Sequence, residues 1–576
     1  MLILKSYLYL VVLYLNLINI DNGVNVLNKF YSYIGTVLAL LMIFSSENSF
    51  AASLPAGSDP GVQLKKNQEN ELKQKMEDNI EKERKDLKDN IKDNQDKGEN
   101  ADINKAIKFR LNKIEIDKSE VLTEKELSTI ISNYEGKEIL INDLYKIVSE
   151  INSLYEKKGF IVCKAILPEQ TIKKGIVKII LIEGRNGQVF IQGNQSTRED
   201  YIKNRLGIKH GEVSPISKLD KALVWFNGSN DVQLKVELKA GSERGTTDYY
   251  ITAYEPVRQQ TTTFFDNAGS ESTGEWREGI VYNNASVTGN RDALSITTMR
   301  SKGSKSGAIN YSMPINNIGT KFGASYSANS IEIIDGALAN MDVRGHSEAW
   351  GFYLNQPTIV KQNLRQEVSF EMQKQNSKTD ILGMHWVNDN IKDYTVALTQ
   401  TSYQSKSALY QRHGYTIGNY GSEISHEQKD YGRYSFNGIY QYAFDKIHML
   451  NFKLNGQIGA NHYLPSAEQF YIGGMYSVRG YKENFLGADS GFSANLEYNI
   501  ANGDKGQTIL FMDGGGVFGD NAFKDHTAIS LGVGYRANIS KDVNSIVTIG
   551  FPLKRDYAGQ EVDKVRINCF ISGSFK

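Results

Sequence analysis

One arginine in this chain is set where its chemistry could be specific: it lies in the run Ile472-Gly473-Gly474-Met475-Tyr476-Ser477-Val478-Arg479-Gly480-Tyr481. A guanidinium is charged at every physiological pH and offers a planar fork of donors, so it suits gripping a carboxylate rather than moving protons. Two strands further on, a carboxylate sits beside glycines in Asp513-Gly514-Gly515. Catalytic alternatives fare poorly. The eight histidines are scattered, with no HExxH or paired spacing, so no metal or cofactor is expected. Asp489-Ser490-Gly491 contains a serine without a recognisable oxyanion donor or histidine partner. No G-x-x-x-x-G-K-[ST] phosphate loop occurs. The chain is expected not to be an enzyme, with lipid hydrolysis as the cheapest enzymatic alternative to assay.

The elements around the arginine have a period of two. Phe452, Leu454, Gly456, Ile458 and Ala460 alternate with Lys453, Asn455, Gln457, Gly459 and Asn461. Likewise Ile529, Leu531, Val533, Tyr535, Ala537 and Ile539 alternate with Ser530, Gly532, Gly534, Arg536 and Asn538. One face suits lipid and the other water, and the pattern persists over residues 256–576. A soluble sandwich need not sustain it so long. At about 20 residues per strand plus connection, the region accommodates roughly 16 strands, which in a bilayer must close into a ring. The expected fold class is therefore a β-barrel membrane protein with a 16-stranded antiparallel transmembrane barrel. Counted back from the C-terminus, strands fall at 565–575, 545–551, 526–539, 507–517 and 491–500, with short and long connections alternating. That arithmetic puts Arg479 in the third external loop from the end, the sixth of eight if the N-terminus is periplasmic. Composition agrees: 51 Gly, 32 Tyr and 24 Phe with 9 Pro favour strands and tight turns. The 66 basic and 66 acidic side chains cancel, so charge argues for no nucleic acid or other polyionic partner. Two distant cysteines, Cys163 and Cys569, build no disulfide framework.

The N-terminal part announces export. Lys29, an apolar core over 34–44 and the small-residue exit Ser49-Phe50-Ala51 have the layout of a signal peptide, assigned to residues 1–51 with a possible N-terminal extension. Residues 52–107 read as a leading helix and charged linker. Ser58-Asp59-Pro60 supplies the start, and Leu72, Met76, Ile80, Leu87 and Ile91 make a narrow apolar stripe. Two outcomes stay open, a solvated linker or a mobile helix occupying a polar pore. Residues 108–185 and 186–255 read as two tandem βααββ modules. In the first, Thr123-Glu124-Lys125-Glu126 is a capping box, Asn142 is expected to cap a second helix that Gly159 ends, and strands are expected at 160–167 and 176–182. In the second, helices are expected at 198–206 and from a Ser217 cap, before the alternating Val232, Leu234, Val236 and Leu238. Their edge strands are open to pairing with a visiting extended chain.

Here a resemblance becomes specific. Leu464-Pro465-Ser466-Ala467-Glu468-Gln469-Phe470-Tyr471-Ile472-Gly473-Gly474, running into Val478-Arg479-Gly480-Tyr481, resembles the signature of the outer-membrane transporters of two-partner secretion. Phe511-Met512-Asp513-Gly514-Gly515 is similar to that family's second barrel motif, F/G-x-D-x-G. Asn227-Gly228-Ser229-Asn230-Asp231-Val232 resembles its N-x-N-P turn without the proline, and the chain ends Phe575-Lys576 rather than on the terminal aromatic. The resemblance implies two POTRA domains before the barrel, in the periplasm of a cell with an outer membrane. It implies that Val478, Arg479, Gly480 and Tyr481 form a loop motif in the lumen, and that Phe511, Asp513 and Gly515 form the wall motif that receives it, Asp513 pairing with Arg479. Gly480, Gly514 and Gly515 would permit close backbone approach. The implied partners are a large unfolded exoprotein with an N-terminal secretion domain, outer-membrane lipid, and the barrel assembly machinery for insertion. A barrel-assembly insertase, which shares both barrel motifs, and a passive porin are the alternatives.

Overall fold

The computed structural model describes residues 55–89, 108–243, 245–460, 464–519, 526–557 and 562–576. The expected signal peptide and the linker after Asp89 lie outside them. Sixteen antiparallel strands, from Gln259–Asp266 to Arg566–Phe575, close into a barrel when the last pairs with the first. Closure is what lipid demands, because an unpaired strand edge would leave amide groups with no partner in hydrocarbon. The period-two pattern decides the faces. On strand Gly506–Phe518, Leu510 and Met512 are exposed to the outside while Phe511 and Asp513 are buried inward. No helix among the described residues is long and apolar enough to cross a membrane, and the crossing is made by strands. The loop carrying Arg479 joins the eleventh strand, His448–Gly459, to the twelfth, Ser490–Ala501, which makes it the sixth of eight connections at that end.

The first α/β module contains helices α2 (Glu124–Ile131) and α3 (Ile141–Lys157) on a three-stranded sheet, Lys113–Ile116, Ile176–Ile182 and Lys164–Ile166. Thr123 and Glu126 form the capping box of α2, with Glu126 N–H donating to Thr123 Oγ1 at 3.3 Å and Thr123 N–H to Glu126 Oε2 at 2.9 Å. Helix α3 is not capped by Asn142. It starts two residues earlier than that cap implies, at Ile141, and Asp143 in its first turn accepts the Leu140 amide at 2.9 Å. The strand expected over 160–167 shortens to Lys164–Ile166 because Gly159, at φ +83°, closes α3 with a left-handed turn. Phe160 N–H then donates back to Tyr155 O at 2.8 Å and is unavailable to a ladder.

The second module runs strand Arg185–Gln192, helix α4 (Glu199–Leu206), helix α5 (Ile216–Ser229), and strands Gln233–Ala240 and Thr246–Tyr254. Ser217 does not cap α5. The helix begins at Ile216 behind Pro215, and no side chain caps it. This module is bolted to the short barrel turns. Arg291 forms an ion pair with Asp231, Arg205 Nη2 donates to Asn316 O at 2.7 Å, and Trp225 Nε1 donates to Ile318 O at 3.1 Å. Asn227, in the turn motif without proline, ties the end of α5 to the next strand, donating to Leu234 O at 3.0 Å and accepting its N–H at 2.8 Å.

Helix α1 (Pro60–Asp89) stands inside the barrel. Asp59 caps it through Gly61 N–H at 2.8 Å and Val62 N–H at 3.2 Å, and Pro60 takes the first position, where no amide is needed. Thirty residues of helix span about 45 Å, enough to run the length of the barrel.

Candidate functional site

The sixth loop does not stand out in water. It folds back into the lumen, starting with a short hairpin of Phe470–Ile472 against Leu486–Ala488. Its side chains Ile472, Val478, Tyr481 and Leu486 pack with Val517 and Ala528 of the wall and Tyr557 of the last external loop into a small apolar core. That core presses the arginine against strand Gly506–Phe518. Arg479 is 6% exposed and Asp513 0%. Arg479 Nε donates to Asp513 Oδ2 at 2.7 Å and Nη2 to Oδ1 at 2.8 Å, while the arginine's own N–H donates to Oδ2 at 3.0 Å. The third guanidinium nitrogen, Nη1, meets Glu497 Oε1 at 2.8 Å, and the face of the group lies 3.6 Å from the centre of the Phe511 ring.

Each nitrogen of the fork thus has a carboxylate, and the ring covers it. Burying a charge costs several kcal/mol unless it is paired and hydrogen-bonded, which is the condition met here. Register explains the convergence: Asn495 lies across from Asp513 and Glu497 from Phe511 on adjacent inward-facing positions. Asn495 Nδ2 also donates to Ser477 O of the loop.

Tyr481 anchors the far side. Its hydroxyl donates to Lys554 O at 2.8 Å and accepts Ile529 N–H at 3.2 Å. Gly480, at φ +104°, holds a backbone conformation that strains any other residue, and the space beside it is tight. A Cβ there would lie 3.2 Å from Ser530 Cβ and 3.3 Å from Pro552 Cδ. Gly515 is equally crowded, since a Cβ would approach Phe492 O to 2.8 Å. Gly514 is not part of this close approach. It points away from the loop, and a Cβ there would have nothing nearer than Ala528 O at 4.0 Å. Val478, Arg479, Gly480 and Tyr481 are thus brought against Phe511, Asp513 and Gly515. Glu497 is the partner the sequence reading missed. The signal was available, since Asn495, Glu497 and Asn499 share the inward parity of their strand.

A second charged cluster holds α1. Lys65 Nζ lies 2.9 Å from Glu468 Oε1 and 3.6 Å from Asp393 Oδ2, and Arg433 Nη2 lies 2.6 Å from Glu468 Oε2. Glu468 belongs to the same sixth loop, so helix and loop share a carboxylate. Asp59 accepts from Ser466 Oγ at 2.5 Å, Gln74 Nε2 donates to Tyr476 Oη at 2.6 Å, and Lys453 pairs with Glu77 at 2.8 Å. Lys453 also bears electrostatically on Glu497, joining the two clusters. Of the apolar stripe, Met76 is buried with Tyr403, Tyr410 and Ile439, whereas Leu72 is 45% exposed in the lumen. The solvated-linker alternative fails for residues 60–77, whose environment is the barrel interior. Beside the helix lies a partly open cleft lined by Asn67, Asn70, Arg277 and Arg300 among others.

The serine in Asp489-Ser490-Gly491 is structural. Its Oγ accepts Gly459 N–H at 3.0 Å, and Asp489 Oδ1 accepts Leu464 N–H at 3.2 Å. Burial in the first module pushes the Cys163 thiol up to about 11, far from reactive thiolate.

Fold and site together define a class: a sixteen-stranded outer-membrane barrel with periplasmic α/β modules, an inward-folded sixth loop and a helix through its lumen. Within that class the chain belongs to the haemolysin secretion/activation protein ShlB/FhaC/HecB family, which matches residues 245–537, and the ShlB-type POTRA domain matches residues 109–184. It is a two-partner secretion transporter of the outer membrane, a family that works with a secreted exoprotein. It is 28% identical to the heme/hemopexin transporter protein HuxB of Haemophilus influenzae (strain 86-028NP) over 428 residues, 69% of this chain and 73% of that protein. It is 22% identical to the outer membrane transporter CdiB of Dickeya dadantii (strain 3937) over 480 residues, 77% of this chain and 83% of the other. The solved structure of CdiB from Escherichia coli superposes with a TM-score of 0.64 at 17% identity, covering 92% of this chain and all of that one, a likeness of fold.

Proposed function

We propose that this transporter takes a large, unfolded exoprotein of the haemolysin or adhesin type, bearing an N-terminal secretion domain, from its periplasmic modules through the barrel lumen to the cell surface without nucleotide. The observation that carries the reading is the seat of α1. A helix held in the lumen largely by ion pairs and hydrogen bonds, with Val62, Leu64 and Met76 as its buried apolar side chains, can exchange those polar contacts for water and leave a polar passage. In this reading the Arg479–Asp513 pair keeps the sixth loop fixed to the wall while the helix moves. Edge strands of the modules receive the extended cargo, and folding of the cargo outside the cell gives direction, since the chain carries no phosphate loop. Barrel assembly machinery and lipid are partners of insertion rather than of transport, and no catalytic step is involved.

The test is reconstitution. Purified protein in liposomes, with denatured exoprotein on the module side and no ATP, is expected to deliver protease-protected cargo to the other side. An absolute requirement for ATP would overturn the nucleotide-independent reading. Insertion of other barrels by the same liposomes, without cargo transfer, would favour the insertase alternative.

A further inference from the structure

A chain inside a closed barrel has two exits, along the axis or sideways between two strands. Every neighbouring pair of strands but one is joined by the chain itself as well as by pairing. The exception is the junction of the last strand, Arg566–Phe575, with the first, Gln259–Asp266. Its ladder is also short, with six residue pairs from Phe570↔Asp266 to Phe575↔Thr261. Above Phe570, toward the external end, the last strand would present bare amide groups on that side.

Asn267 fills the gap. Its own N–H donates to Cys569 O at 3.3 Å, its side-chain Oδ1 accepts Cys569 N–H at 2.8 Å, and its Nδ2 donates to Ile567 O at 2.8 Å. The carboxamide acts as one more peptide unit and continues the ladder where the first strand has ended. Asn267 is buried, and the residue before it, Asp266, is clamped by Arg277 through bonds of 2.8 and 3.0 Å. Beyond the ladder, Arg566 reaches over to Glu275 at 2.8 Å. Lower down, the Thr262 and Ser574 hydroxyls meet at 2.9 Å on the lumen face, and the Phe264 and Phe570 rings stack at 6.1 Å across the junction.

We infer that Asn267 is a positioning residue that latches this junction, and that the junction stays shut while the exoprotein passes along the axis. The inference rests on the transport function proposed above. It places the widening needed for passage in the departure of lumen contents, not in the parting of strands.

A full-length protein carrying Cys163→Ala and Cys569→Ala receives Thr262→Cys and Ser574→Cys, whose side-chain atoms replace hydroxyls 2.9 Å apart. Secretion of the exoprotein by the oxidised form is expected to stay within about twofold of the cysteine-free parent, with or without reductant. A loss of roughly tenfold or more that reductant restores would overturn the inference, whereas failure of the parent itself to secrete would sink the proposed function instead. For the latch, amide exchange at Cys569 is measured in Asn267→Ala. It is expected to rise roughly tenfold, as loss of one satisfied buried hydrogen bond implies, while amides of strand Gly506–Phe518 stay as in the wild type. Unchanged exchange at Cys569 would remove Asn267 from the role. Should Asn267→Ala not insert, exchange of the amide at position 569, there an alanine, is read in that variant stapled by the 262–574 disulfide, against the stapled parent.

Discussion

The two charged clusters in the lumen are built from similar residue types and are both buried, and they differ in how each cation is held. The arginine of the loop is wrapped on all sides. It makes a bidentate pair with Asp513, a third bond to Glu497 and a face contact with Phe511, in a site sealed by its own apolar core. The lysine of the helix meets Glu468 through one oxygen, and that carboxylate is shared with Arg433. The helix's other contacts are single bonds to side chains such as Tyr476, Ser327 and Lys453. Breaking the first leaves buried charge unpaired, at about 3–5 kcal/mol. Each single bond of the second costs about 1 kcal/mol net once the departing helix lets water in to replace it. One cluster is made to hold and the other to let go.

The comparison breaks most visibly at Arg479. In Arg479→Ala, Asp513 and Glu497 are left facing each other with no cation between them, and the loop should come off the wall. Exoprotein in the medium is expected to fall below detection while heat-modifiable migration shows a folded barrel. Normal secretion would mean that the loop clamp is not needed. Next in size is a tether on the helix. A Cβ built on Gly57 lies 3.4 Å from Ser270 Cβ, close to disulfide spacing, so Gly57→Cys with Ser270→Cys can fasten the helix to the first external loop. Secretion should fall by roughly tenfold or more when oxidised and recover with reductant, and indifference to oxidation would show that the helix need not leave.

A smaller effect is expected from Glu468→Ala, which frees Lys65 and Arg433 from their shared partner. The open fraction in planar bilayers should rise roughly tenfold, the equivalent of 1.4 kcal/mol, with the Arg479 clamp intact. An unchanged open fraction would mean that the helix is retained by something other than this network. The smallest lies outside the membrane, within the first module. Burial by itself would raise the Glu183 carboxyl, but hydrogen bonds from Ser119, the Glu120 amide and Tyr155 outweigh it and hold the group below its ordinary range. A carboxylate depressed on folding stabilises above its unfolded value, near pH 4.3, and loses that contribution as pH falls through the folded value. Amide exchange in strand Ile176–Ile182 should therefore be a few-fold faster in Glu183→Gln than in wild type at pH 7, and the difference should shrink as the pH is lowered through the acid range. A difference that does not depend on pH would assign the effect to shape rather than charge.

How far the sequence reaches depends on whether a signal is local. Alternation along Ile529, Leu531, Val533 and Tyr535 tells which side of a strand meets lipid, because that is a property of the strand alone. The capping box at Thr123 and Glu126 is legible for the same reason, since its partners are three residues apart. Asn142 and Ser217 misled because their neighbours Asp143 and Pro215 offered the helix starts a competing solution. The seating of α1 was undecided in sequence. Its pattern of charge suits water, and a water-filled lumen is indistinguishable from bulk solvent by composition.

The chain by itself determined the barrel, its strand count, the parity of its faces and the loop that carries Arg479, since each follows from period and spacing. Only the closed tertiary structure decided that Glu497 joins Asp513 around the guanidinium, that Glu468 serves both helix and loop, and that Asn267 completes the junction of first and last strands. Those contacts unite residues 18 to more than 400 positions apart. Their distances are set by strand register and barrel closure, which no local pattern encodes.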